Sequence, residues 1–197
     1  PESKYYFILN DDVILTKDSL ANLVAVAGDM PVILQPISPC DNYRAYSLMF
    51  GFMSGGKGVP MVEQFYRLPQ VEGMTADMMN AESSYPVGTI RAEFLCMFAT
   101  LIPKSVWSKV GAFDEMFKTG QDDIDYSRRA HINGVSLHYC LNSLVWHFGG
   151  VTADDSISVE KRKENIRYFK DKWGELPPGM PANILDTLDD SYKFKEQ

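Results

Sequence analysis

The sequence has 197 residues, 45% of them hydrophobic, which is typical of one folded domain and excludes a disordered chain. A formal net charge of −7 argues against a nucleic-acid groove, because such grooves need basic stripes. Cys40, Cys96 and Cys140 lack C-x-x-C spacing, which favours reduced thiols over a disulfide frame or zinc site. No apolar run approaches about 18 residues, so no transmembrane segment is predicted.

The first predicted elements are a strand and a helix. Residues 5–9 form an apolar run that predicts a buried strand, which ends at the polar residues 10–12. Thr16 or Asp18 is expected to cap a helix that runs to about residue 27. Because the chain opens directly on a strand, we expect earlier secondary structure to be missing from it.

The middle of the chain is expected to be irregular. A second strand is predicted over residues 31–36, but residues 38–92 carry several glycines and prolines and predict loops with short elements. Long irregular segments of a compact domain are often binding loops. Regular structure returns with an apolar strand over residues 94–102 and a short helix over residues 104–110.

The C-terminal part alternates between helices and strands. An acidic helix is predicted over residues 121–133, strands over 135–140 and 143–147, and a polar helix over 156–173. The proline-containing tail, residues 175–197, predicts an extended arm. Strands mixed with helices indicate an α/β domain.

Asp12 is a candidate metal ligand because it follows the C-terminal end of a predicted strand. Ligands of open α/β sheets bind at that edge, and a carboxylate oxygen suits Mg²⁺ or Mn²⁺, which would in turn hold a diphosphate. An Asx turn at Asn10 and Asp11 with a solvated Asp12 explains the same residues equally well.

Three carboxylates, Asp122, Asp123 and Asp125, crowd the start of the acidic helix. The helix dipole favours acidic residues there by roughly 0.3–1 kcal/mol each, which accounts for one or two of them. Three exceed what the helix start needs. A carboxylate at the mouth of a sheet is also suited to act as a general base for a hydroxyl nucleophile.

His147 and Arg129 are the remaining candidates. His147 ends an apolar strand before Gly149 and Gly150, which suggests close approach of the backbone to a ligand, although a lone histidine is more often a packing residue. Arg129 is expected on a solvated helix face, as a partner of the aspartates, or at a phosphate.

Four segments, taken in order, resemble those of family 2 glycosyltransferases with the GT-A fold. YFILNDDVI (6–14) resembles the strand that ends in the D-x-D metal motif, and GAFDEMF (111–117) resembles G-x-F-D-E-x-F. DDIDYSRR (122–129) resembles E-D-x-D-x-x-x-R, and WHFGGVT (146–152) resembles the closing H-x-G-G-x-T. The resemblance covers about residues 5 to 152.

The resemblance implies a GT-A-like mixed sheet flanked by helices and a glycosyltransferase activity, usually inverting, on a nucleotide-diphosphate sugar. By match, Asp12 would be a metal ligand, with His147 completing the metal shell. Asp123 matches the catalytic base, and Asp122 would orient the donor or acceptor. Asn10, Asp11 and Asp12, with Arg129, are assigned to the donor diphosphate.

The sequence departs from the family pattern at three places. Asn10 replaces the first aspartate of D-x-D, and Asp122 replaces the commoner glutamate. The N-terminal nucleotide-binding βαβ part has no counterpart here. Residues 1–174 are therefore interpreted as a partial GT-A catalytic domain, with residues 38–92 as its acceptor-side variable region.

Two other functional classes fit parts of the pattern: a non-catalytic carbohydrate- or nucleotide-binding module of the same fold, and a cation-dependent phosphohydrolase. The expected partners of the leading hypothesis are a nucleotide-diphospho-sugar, a saccharide or other hydroxyl acceptor, and Mn²⁺ or Mg²⁺. A homodimer is predicted, because a partner chain would cover the exposed edge of an incomplete sheet. A cytoplasmic location is also expected, with peripheral association with a membrane as an alternative.

Overall fold

The computed structural model of the protein describes residues 3–38, 89–118, 120–147, 159–178 and 180–188. Most of the acceptor-side region, residues 38–92, lies outside these ranges, as do the glycines that follow His147. The expectations for both segments therefore stay predictions.

Six strands of the described residues form one mixed sheet. They are β1 (Tyr5–Leu9), β2 (Val13–Leu15), β3 (Val32–Ile37), β4 (Thr89–Ala92), β5 (Ala99–Pro103) and β6 (Ser136–His147). Their order is β1-β5-β3-β6-β2, and β4 also pairs with β6. The pairing of β3 with β6 is parallel, and the other pairings are antiparallel.

The helices of the described residues are α1 (Ser19–Ala27), α2 (Lys104–Val110), α3 (Asp122–Ile132), α4 (Val159–Trp173) and α5 (Ile184–Thr187). The sequence predicted the first four of them within a few residues. Gly28 and Gly111 end α1 and α2 with φ angles of 49° and 89°, which glycine adopts without steric cost.

Helices pack on both faces of the sheet because alternate residues of β3 point in opposite directions. Ile33 and Ile37 pack in one cluster with Tyr126 of α3, whereas Leu34 packs in another with Leu23 of α1. Each side chain buried in this way stabilises the fold by roughly 1.5–3 kcal/mol. The two-sided burial confirms the α/β class and the mixed sheet flanked by helices.

β1 is the end strand of the described sheet rather than a buried one. Among the described strands it pairs with β5 alone, and Tyr6 and Leu9 are 43% and 42% exposed. The expectation of a buried strand was therefore right about the strand and wrong about its burial, because an apolar run does not reveal how many neighbours a strand has.

β6 is one strand of twelve residues where the sequence predicted two. Its register with β3 shifts between Pro36, opposite Cys140, and Ile37, opposite Leu144, so that the intervening residues form a bulge. Thr16 Oγ1 donates a hydrogen bond to the Leu144 carbonyl at 2.6 Å and holds the bulge against the start of α1. Residues 141–142, which separated the two predicted strands, lie in this bulge.

Two more segments differ from the sequence prediction. The strand expected over residues 94–102 begins only at Ala99, and the residues just before it have no regular structure. In the tail, residues 180–188 are not extended, because Ile184 and Leu188 are buried against Ile166 of α4. The division of the chain into a catalytic domain and an arm stays a prediction.

Candidate functional site

Asp12 and His147 come together where β2 pairs with β6. The antiparallel register places Val13 opposite His147, so the carboxylate just before β2 meets the last side chain of β6. Asp12 Oδ1 lies 3.1 Å from His147 Nε2, and the two side chains are 8% and 19% exposed. The structure thus pairs the two residues that the sequence nominated as metal ligands.

This pair fits a divalent cation as two of its ligands. Asp12 Oδ1 is buried, and among the described residues it faces the His147 imidazole rather than a lysine or arginine, so a cation would offset the cost of burying this carboxylate. Burial lowers the pKa of His147, although Asp12 acts against the shift, so the imidazole is neutral and able to ligate. The described residues hold no cluster of three His, Cys, Asp or Glu side chains, so water and substrate oxygens would supply the other ligands.

The position of His147 is fixed from two sides. Its ring stacks on Phe98 with centroids 4.6 Å apart and planes inclined by 16°. Its backbone N–H donates to the buried Ser38 Oγ at 2.8 Å. The sequence interpretation missed both neighbours, since neither belongs to a motif.

Asn10 and Asp11 are exposed in the turn between β1 and β2. The Asn10 N–H donates to the Phe98 carbonyl at 2.8 Å, which ties this turn to the residue that stacks on His147. The role of the two side chains in donor binding stays a prediction.

Asp122 and Asp123 occupy the first turn of α3 without capping it. Gln121 precedes the helix in a left-handed conformation, and no side chain makes a capping hydrogen bond. Asp123 Oδ1 accepts the Ile124 N–H at 2.8 Å, and no salt bridge joins Asp123 to a basic side chain among the described residues. Burial, followed by the charge of Asp122, raises the pKa of Asp123 to about 7.

Asp125, the third carboxylate, has a structural environment. It is fully buried and accepts hydrogen bonds from Arg129 Nε at 2.8 Å and Trp173 Nε1 at 3.0 Å, and Lys172 Nζ lies 2.7 Å from it. These contacts join α3 to α4. Of the three crowded carboxylates, this one is explained by packing alone.

Arg129 belongs to the same structural group. Besides Asp125, its guanidinium donates to the Val110 carbonyl at 3.0 Å and lies over the Tyr126 ring. Only Nη2 lacks a hydrogen-bond partner within the described part of the chain, and it is buried. Arg129 is therefore a partner of Asp125, and its assignment to the donor diphosphate stays a prediction.

The family-like segment that contains Asp114 is a structural connection as well. Asp114 Oδ2 accepts hydrogen bonds from Lys172 Nζ at 2.6 Å and Tyr168 OH at 2.9 Å, both on α4. The hydrogen bond from Lys172 is the main reason that the pKa of Asp114 falls to about 2. Lys172 thus bridges Asp114 and Asp125.

In the described part of the chain, no helix combines the length and the apolar character needed to cross a bilayer. A comparison with curated proteins finds no match. The family model described as glycosyltransferase-like family 2 matches residues 2–167, which is most of the sequence. The protein therefore belongs to the family 2-like glycosyltransferases.

Proposed function

We propose that this domain transfers a sugar from a nucleotide-diphosphate donor to an acceptor hydroxyl, with inversion at the anomeric carbon and with Asp123 as the general base. The observation that carries the proposal is the environment of Asp123. It is a partly buried carboxylate at a helix start, without a basic partner among the described residues, with a pKa of about 7. A family 2-like domain supplies the context in which such a base has a use.

The raised pKa of Asp123 suits the base role. A base is most effective when its pKa lies near the working pH, because it is then both deprotonated and able to hold the proton. Asp123 would take the acceptor proton while the acceptor oxygen attacks the anomeric carbon and the bond to the diphosphate breaks. Attack opposite the leaving group inverts the configuration. Asp122 assists by increasing the proton affinity of its neighbour.

Asp12 and His147 would hold a divalent cation, Mn²⁺ or Mg²⁺. A bound cation neutralises the charge that develops on the leaving diphosphate. The neutral imidazole and the buried carboxylate would supply one nitrogen and one oxygen ligand to the cation. Asn10 and Asp11, exposed in the turn before Asp12, would contact the donor diphosphate. Phe98 and Ser38 keep His147 in place during this role.

Calorimetric titration with Mn²⁺ and UDP-, GDP- or dTDP-sugars, followed by an assay for released nucleotide diphosphate, tests the proposal. We expect release by the wild type and a loss of about 10²–10⁴-fold in kcat for Asp123→Asn, the range that general-base catalysis supplies. Asp171→Asn, on an exposed part of α4, is the matched control and should behave as the wild type.

The same assays distinguish the other two classes. Binding of a nucleotide sugar without release, unaffected by Asp123→Asn, would identify a non-catalytic binding module. Phosphate release from a simple phosphate ester would identify a hydrolase. Asp12→Asn should weaken the Mn²⁺ affinity but leave α3 intact, and an unchanged affinity would refute the metal assignment.

A further inference from the structure

Residues 95–98, called the linking segment below, lie between the two halves of the proposed site. Leu95 and Met97 point into the core that α2 and α3 share with the sheet. Cys96 and Phe98 point the other way, into the cluster that contains Val13 of β2. The segment precedes β5 and has no regular secondary structure of its own.

The linking segment contacts the Asp12–His147 half of the site and α3, the helix that carries Asp123. At one end, the Phe98 ring stacks on His147, and the backbone carbonyl of Phe98 accepts a hydrogen bond from the Asn10 N–H. At the other end lies Cys96, whose thiol pKa is raised well above its usual value by burial and then by the charge of Asp123. The segment therefore lies between the Asp12–His147 pair and α3, with its Cys96 thiol close enough to Asp123 for the charge to affect the thiol pKa.

Two fully buried side chains hold the backbone of the linking segment. Gln35 Oε1 of β3 accepts the Met97 N–H at 2.7 Å, and Ser127 Oγ of α3 accepts the Leu95 N–H at 3.1 Å. Met97 has a φ angle of 50°, a left-handed conformation that a non-glycine residue keeps only where its surroundings enforce it. The hydrogen bond from Met97 to Gln35 is such a restraint.

Gln35 is an unusual residue for its place in the fold. It lies in an otherwise apolar strand, and the register of β3 with β5 puts it opposite the equally buried Thr100. Its Nε2 has no hydrogen-bond partner among the described residues. A buried amide that leaves its own donor unsatisfied weakens the core, so packing does not explain Gln35. The hydrogen bond that Gln35 accepts from the Met97 N–H explains why a polar residue lies here.

We propose that Gln35 is a positioning residue for the transfer reaction, and that it sets the place of the Asp12–His147 pair relative to Asp123 through the linking segment. The inference rests on the proposed function. Small displacements of reacting groups cost large factors in rate, so release of the segment should lower turnover more than substrate binding.

Gln35→Met tests this role because it keeps the volume of the side chain and removes the acceptor. We expect kcat to fall about 10–100-fold, with the donor KM changed by less than about threefold. Amide hydrogen exchange of residues 95–98 should accelerate at temperatures well below unfolding. Gln35→Glu, as a neutral acid, retains an acceptor oxygen and should restore much of kcat.

Thr100→Val is the matched control. Thr100 is as buried as Gln35 and stands opposite it, but its Oγ1 has no hydrogen-bond partner within the described residues. Its removal should leave kcat and the exchange of residues 95–98 unchanged. Ser127→Ala removes the second hydrogen bond to the linking segment, and alanine is suited to the helix in which Ser127 lies. Like Gln35→Met, it should lower kcat and accelerate the exchange of residues 95–98.

The outcomes separate this inference from the proposed function. If the wild type is active and Gln35→Met changes neither kcat nor the hydrogen exchange of residues 95–98, the inference alone is overturned. The inference is also overturned if Thr100→Val lowers kcat as much as Gln35→Met does. A wild type that releases no nucleotide with any donor overturns the proposed function and the inference together. If Gln35→Met does not fold, Ser127→Ala replaces it as the test of the linking segment. An unchanged kcat in Ser127→Ala would then overturn the inference.

Discussion

Asp123 and Asp125 stand two positions apart on α3 and have opposite environments. Asp125 is fully buried and surrounded by Arg129, Lys172 and Trp173. Asp123 has no basic partner within the described residues, and burial raises its pKa to about 7. One carboxylate has its charge compensated by the fold, and the other does not.

The difference separates a structural carboxylate from a candidate functional one. A charge that is paired and hydrogen-bonded in the interior holds elements together, whereas an uncompensated one weakens the fold and persists where it has a use. Asp114 joins the structural group, because its hydrogen bond with Lys172 lowers its pKa to about 2. Asp12 resembles Asp123 instead, because its buried Oδ1 faces the His147 imidazole and no lysine or arginine among the described residues.

The largest effect is expected from Asp125→Asn. The substitution removes the fully buried carboxylate that Lys172 and Arg129 share. Lys172 keeps Asp114, but the Arg129 guanidinium loses its countercharge, which should lower the free energy of unfolding by about 3 kcal/mol. Urea denaturation at pH 7 measures it. Asp171→Asn on an exposed part of α4 is the control and should change stability by less than about 0.5 kcal/mol. A stability equal to that of the control would remove Asp125 from the structural group.

Asp123→Asn, in contrast, is expected to raise the free energy of unfolding. The carboxyl of Asp123 has a pKa near 7 in the folded protein against a reference of 3.8, so the folded state binds the proton more tightly. Ionisation therefore costs stability as the pH rises from about 4 to about 7, and asparagine avoids this cost. At pH 8 the variant should be more stable by about 2 kcal/mol, roughly half of the full shift because Asp123 is only partly buried.

Denaturation of both proteins at pH 4 and pH 8 distinguishes this effect from a general change in packing. The gain should be present at pH 8 and small at pH 4, where the folded carboxyl is neutral and the unfolded one is only partly ionised. A gain of the same size at both pH values would show that the charge of Asp123 is not its source.

Local patterns in the sequence predicted most of the elements but not their neighbours. The apolar runs and glycine ends gave the strands and helices, because periodicity and caps are local properties. The end position of β1 and the continuity of β6 through a bulge depend on pairing between distant segments. No local pattern contains that information.

The residues of the candidate site likewise fall into those that the sequence indicated and those that it did not. The order of the motifs drew attention to Asp12, Asp123 and His147, and the structure joins the first and last of these. Gln35 and Lys172 were missed, because one polar residue in a strand and one lysine in a polar helix have no distinguishing spacing. Their roles exist only after β5 packs beside β3 and α4 docks on α3.

A smaller effect is expected from Tyr168→Phe, which removes one hydrogen bond to Asp114 from the structural group. The cost should be about 1 kcal/mol at pH 7. The pKa of Asp114 is about 2 in the fold against a reference of 3.8, so its pairing stabilises the protein above pH 4 and the contribution is lost as the pH falls toward 2. The difference between variant and wild type in urea denaturation should therefore shrink in acid. A difference that is independent of pH would mean that the ionised carboxylate is not the partner that matters.

The smallest effect is expected from Asp122→Asn on the pH dependence of transfer. Asp123 must be deprotonated to accept a proton, so kcat/KM for the wild type should rise with pH through about 7. Burial is the main cause of this raised pKa and the charge of Asp122 is the second, so its removal should move the midpoint to lower pH without abolishing the rise. The pH profile of nucleotide release measures the shift, and Asp171→Asn should leave it in place. A midpoint that does not move would mean that burial alone sets the contrast between Asp123 and Asp125, and that the crowding of carboxylates at the start of α3 has no part in tuning the base.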